Sequence, residues 1–242
     1  MVIDQVRENL LTDIYSTQAL LRFAEEESKH IYLFQRFSEA FAIGFGMVPA
    51  CIGPARDIAD AVLKHSLLGV ALLTLHIEWM TQRHYLESVQ GNRQEPIDPL
   101  FASLLRHHWM EEAQHAKLDT LIVEALVESL TPIAIAQGID DYFTLVQMLD
   151  GGLQAQVQLD IASLETAMRM AMPMNNWRSL REAEKAEIQA AQIQSYRWTF
   201  LGSGMTHPNV INTFAKLNST AQNQLMEWVL NFTANPVPLQ AA

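Results

Sequence analysis

The 242-residue chain is about half apolar, carries a formal net charge of −11 and holds one cysteine, Cys51. This is enough apolar material for a real core. An internal disulfide is excluded, and the acidity argues against non-specific binding to nucleic acid or anionic membranes. The N-terminal MVIDQVRENL lacks an apolar signal core, and the most apolar run, Leu67 to Leu75, is shorter than the roughly 20 residues that a bilayer requires. A cytoplasmic protein with no membrane or nucleic-acid partner is expected.

Sparse Gly and Pro, gathered in clusters, cut the chain into about six helical segments. The first is expected from Asp4 or Asp13 to Phe45, with an apolar seam of Leu20, Ala24, Ile31, Phe34, Phe41 and Phe45. Glu27 falls in that seam beside His30, Glu26 is ambiguous, and Glu25 belongs to the solvated face with Arg22, Lys29 and Arg36. After the break at Met47 to Ala55, a second helix is expected over Arg56 to Gln90. Its middle is apolar on nearly every face, which marks a central, buried helix. Glu78 ends that run, and a buried carboxylate there needs a partner.

Gly91 to Pro99 reads as a turn, and a third helix is expected over Leu100 to Leu130, with the seam Phe101, Leu105, His108, Glu112, His115, Ile122 and Leu126. The four- and three-residue steps put His108, Glu112 and His115 on one helix face. A fourth helix is expected over Asp141 to Met172, after Thr131-Pro132 and Gly138, with Asp160 in line with Leu149, Leu153 and Leu164 and a surface pair Glu165–Arg169. Met168, Met170, Met172 and Met174 read as core packing. A fifth helix, Ser179 to Leu201, and a sixth, Asn209 to Phe232, flank a Gly202 to Pro208 break, and the tail beyond is expected to be loose. The whole is expected to be one all-α bundle domain over 1–242, with a core about 13–172 and a C-terminal helical pair about 178–233.

Neighbouring helices joined by short loops are antiparallel, so residues equidistant from a loop share a height. With loops centred near residues 52 and 95, Glu27, Glu78 and Glu112 fall at about one level. With a third loop near residue 135, His115 and Asp160 match within about 7 Å. His76 and His107 read as structural or exposed, and His84, next to Arg83 and Tyr85, as a partly exposed helix face. Carboxylates with imidazoles suit iron or manganese.

Glu27-x-x-His30, Glu78 and Glu112-x-x-His115 resemble three of the four ligand helices of the di-iron carboxylate superfamily, across roughly residues 20–120. The extra His108 is similar to the third histidine of the para-aminobenzoate N-oxygenase family and of the haem-oxygenase-like di-iron oxidases. The resemblance implies a ferritin-like or haem-oxygenase-like bundle with two Fe ions, or a Mn/Fe pair, bound by Glu27, His30, Glu78, His108, Glu112 and His115. It implies an oxygenase or oxidase that hydroxylates or N-oxygenates a small organic substrate with dioxygen and an electron donor; separately from the resemblance, a homodimer is the assembly considered. Those N-oxygenases carry one more glutamate on a helix before the first motif. Here the 26 residues before Glu27 read as part of the same helix, which leaves three alternatives: the carboxylate comes from the fourth helix, with Asp160 the best candidate, it is absent, or the sequence starts short of it. Two other functions stay open: a ferroxidase or peroxide-handling protein, and a helical binding or scaffold protein whose Glu and His side chains pair without metal.

Overall fold

The computed structural model describes residues 13–92, 96–172 and 178–233 and is all-α, with eight helices among them. They are α1 (Ile14–Phe45), α2 (Ala55–Val62), α3 (Leu67–His84), α4 (Pro99–Ser129), α5 (Pro132–Ala171), α6 (Glu182–Arg197), α7 (Pro208–Leu217) and α8 (Ser219–Thr233). A helix start at Asp4, Pro173, Met174 and the tail beyond 233 lie outside the described residues. Among the described residues no helix is long and apolar enough to cross a membrane. The chain divides into two compact units, Met1–Pro49 and Ala50–Ala242.

In the first unit, Asp13 caps α1 by accepting from the Tyr15 and Ser16 amides. The helix buries Thr17, Leu20, Phe23 and His30. The expected seam is therefore rotated: Ala24, Ile31 and Phe41 are exposed, because the buried positions step by three, three and seven residues from Thr17 to His30 and leave Ile31 about 100° around the axis from His30. Phe41 instead stacks on Phe45, with ring centroids 5.2 Å apart.

In the second unit, α3 is the central helix, as its composition requires. It packs against both α4 and α5, and it buries eleven residues from Leu68 to Gln82. The helix expected over Arg56 to Gln90 is divided. α2 ends at Val62, and Ser66 begins α3 by accepting from the Gly69 amide, while its own amide donates to Asp141 Oδ2 at 2.8 Å. Beyond His84 the helix continues through a π-helical turn, Tyr85–Gln90.

Prolines start the next helices. Asp98 caps α4 at Pro99 and Thr131 caps α5 at Pro132; proline lacks the N–H that a first helical turn leaves unused. α5 therefore begins nine residues before the expected Asp141. Gly138 does not break it. A Cβ there would lie 2.6 Å from Leu68, so the glycine serves the close approach of α5 to α3.

α6 packs on α5 and runs on through a π-helical turn, Trp198–Gly202, to Met205. The expected break at Gly202 is absent for the same kind of reason: a side chain at Gly204 would enter the His76 imidazole. The expected sixth helix is two helices. Asn218 is extended, and its side chain caps α8 by accepting from the Ala221 amide at 2.6 Å.

Two further expectations are corrected. Glu165 pairs with Lys185 of α6 at 3.2 Å rather than with Arg169, because α6 brings an ammonium to that flank of α5. Met170 and Met172 are exposed at the end of α5 rather than packed in a core, with Met168 half-buried. The core itself is aromatic where α5, α7 and α8 meet: Tyr142 lies 4.9 Å from Phe214, and Phe143 stacks on Trp228 at 5.5 Å.

Candidate metal centre

Four of the predicted residues come together in the second unit. Glu112 is buried on α4, between His108 one turn before it and His115 one turn after it. His108 Nε2 lies 2.7 Å from one Glu112 oxygen, and His115 Nδ1 lies 2.7 Å from the other. Glu78, buried on α3, also hydrogen-bonds Glu112. Burial alone would push the Glu112 carboxyl up. The hydrogen bonds from His108, His115 and Glu78, with the nearby charge of His108, outweigh it and hold the group well below the usual carboxylate range. An ionised Glu112 only accepts, so the nitrogens that face it, His108 Nε2 and His115 Nδ1, act as N–H donors.

The height match between Glu78 and Glu112 thus holds, since the turn after α3 lies almost midway between them in sequence. The match of His115 with Asp160 does not. The α4–α5 turn is at Leu130–Thr131, not near residue 135, which moves Asp160 about 20 Å along the bundle from the level of His115. Asp160 instead accepts from the Tyr196 hydroxyl at 2.6 Å and from Gln156 at 2.8 Å, beside a small cleft between α5 and α6.

The α4 stripe also contains a residue that the sequence reading passed over. Asp119, one turn beyond His115, is buried, and the stripe continues to Val123 rather than to Ile122 and Leu126. The readable signal was the four-residue step from His115.

In the first unit, Glu27 and His30 are neighbours on α1, with His30 Nδ1 3.9 Å from Glu27 Oε1. The His30 side chain is buried and that of Glu27 is 39% exposed. Glu25 is exposed and pairs with Lys29 at 3.2 Å, as its face predicts.

The remaining histidines of the second unit have other work. His76 is buried between α5 and the π-helical turn after α6: Nδ1 lies 3.0 Å from the Tyr142 hydroxyl and Nε2 lies 3.1 Å from the Phe200 carbonyl. The carbonyl only accepts, so Nε2 carries the proton and Nδ1 accepts from Tyr142. Burial pushes His76 down to about 4, against its two backbone hydrogen bonds. Arg83 ties α3 to the segment after α6, with Nη1 2.6 Å from Thr206 Oγ1 and the guanidinium over Trp198. His107 is exposed and bonds the Ser103 carbonyl.

Two carboxylates and two imidazoles from adjacent helices are a donor set for a divalent transition metal. Comparison with protein families, characterised proteins and solved structures finds no match.

Proposed function

We propose that the protein is a di-metal protein, with iron as the metal in both positions or paired with manganese, and that it activates dioxygen to oxidise a small organic molecule. The observation that carries this reading is the grip on Glu112: one buried carboxylate held by two imidazoles and by a second carboxyl group. Two buried acids in hydrogen-bond contact cannot both be ionised without positive charge between them, and a divalent cation supplies it. The chemistry of the donors fits, since carboxylate oxygens and neutral imidazole nitrogens are what iron and manganese take.

Glu78, Glu112, His108 and His115 would hold metal from the second unit. Glu27 and His30, within the first unit, repeat the Glu-x-x-His spacing of α4, and on that sequence pattern they are proposed as metal-binding residues in their own right. A metal pair held by these residues would supply redox chemistry toward dioxygen. Around it the chain's own residues orient and protonate. Glu112 spans its two imidazole neighbours with separate oxygens and so fixes both ring planes. To act as ligands, these carboxyl groups and imidazoles would have to give up any protons held on their ligating atoms. Binding should therefore release protons and weaken as pH falls.

The test compares Glu112→Ala with Glu25→Ala, both loaded anaerobically with ferrous iron. Glu112→Ala should lose binding measured by elemental analysis and Glu25→Ala should keep it. Equal behaviour would refute the assignment of facing on which the site rests.

One observation favours a second reading. The 2.7 Å contacts let Glu112 satisfy His108 and His115 directly, as a metal-free Glu–His network in a scaffold protein would. Under that reading the wild-type chain binds no iron, and Glu112→Ala costs only stability.

A further inference from the structure

The second unit also holds a cleft of about 670 Å³. Its walls include Trp79 of α3, Lys117 and Thr120 of α4, and Asn209, Asn212 and Lys216 of α7. Lys117 sits about 140° around the helix from Glu112 and about 200° from His115, and Thr120 lies about two turns beyond Glu112, so the α4 residues that line the cleft are not those of the Glu112 cluster.

Three features give it chemistry. First, Trp79 is held in place before any ligand arrives. One indole face stacks on His207, with centroids 4.6 Å apart and planes 16° apart, and Nε1 donates to Thr120 Oγ1 at 3.4 Å. Trp79 also lines the cleft, so a ligand there meets an indole already held in place. Second, the charge is cationic in an acidic chain. Lys216 is neutralised by Glu124 at 2.6 Å, whereas Lys117 makes no ion pair or hydrogen bond among the described residues. Third, the side-chain amides of Asn209 and Asn212 have no hydrogen-bond partner among the described residues, so each brings unused N–H donors. Both threonine hydroxyls of the cleft give their protons to backbone carbonyls, of Ala116 and of Asn209.

We propose that this cleft binds a small planar organic carboxylate, with its ring on Trp79 and its carboxylate between the Lys117 ammonium and the Asn209 and Asn212 amides. One uncompensated ammonium suits a single negative charge, and the volume lies within the usual range of about 300–1,000 Å³ for small-molecule sites. A flat ring gains stacking on the indole, and a carboxylate gains charge-assisted hydrogen bonds.

The test uses the full chain without added metal and titrates benzoate by calorimetry and ligand-observed NMR, with benzyl alcohol and cyclohexanecarboxylate as comparisons. Saturable benzoate binding is expected, with each comparison weaker. Lys117→Gln should weaken benzoate about tenfold through the lost charge-assisted contact, and Trp79→Leu should weaken it as well, with circular dichroism confirming that both variants fold. Lys185→Gln, outside the cleft, should bind as the wild type does. The proposal is overturned if benzoate does not saturate, if Lys117→Gln binds it unchanged, or if benzyl alcohol binds equally well. Benzoate binding is expected to survive Glu112→Ala, so this test and the metal test fail independently.

Discussion

Removing the proton-linked contribution of His76 should change how stability depends on pH. His76 joins α3, the helix that carries Glu78, to Tyr142 of α5 and to the Phe200 carbonyl. Burial, opposed by the backbone hydrogen bonds, lowers its native value from 6.5 to about 4. Above the unfolded value both states are neutral and His76 imposes no pH dependence. As pH falls through 6.5 the unfolded chain takes up a proton that the folded chain refuses, so stability falls until the native value near 4 is reached. Between about pH 7.5 and about pH 5 this linkage amounts to about 2 kcal/mol. The assay is urea unfolding of the wild type and His76→Gln across that range. Other titrating groups contribute to both proteins and cancel in the difference. The wild type should lose about 2 kcal/mol more than the variant on acidification. Equal losses would show that His76 is not held neutral in the core.

Further outcomes follow from particular contacts. Asp160→Asn should leave iron binding unchanged and cost about 1–2 kcal/mol in chemical unfolding, because it weakens the hydrogen bond from Tyr196; loss of iron would return Asp160 to the ligand set. Gly204→Ala should destabilise by about 2–3 kcal/mol in thermal or urea unfolding, since its methyl enters the space of His76; a neutral result would show that the helix after α6 does not pack there.

What the sequence made legible followed from local chemistry. Asp98 before Pro99 marks the start of α4 without reference to the rest of the chain, and an unbroken apolar run marks α3 as central. The Glu78–Glu112 contact was readable because a turn lies almost midway between them. What was not legible depended on packing between distant segments. Gly138 and Gly204 look like breaks in one dimension, yet each gives up a side chain so that Leu68 or His76 can approach. The register of Asp160 depended on the position of the α4–α5 turn, and a shift of a few residues moved it far along the helix. Asn218 divides the last helical stretch by capping α8 with its own side chain, a role that its neighbours in sequence do not announce. Asp119 was missed because an aspartate with Lys117 and Thr120 close by in sequence reads as surface until its burial is seen.

The central claim is tested most directly by anaerobic titration of the purified full-length chain with ferrous iron, followed by removal of excess metal and elemental analysis. The account predicts about two ions per chain, with protons released on binding. A chain that retains no iron would contradict it and leave the Glu–His cluster as a metal-free element of the scaffold.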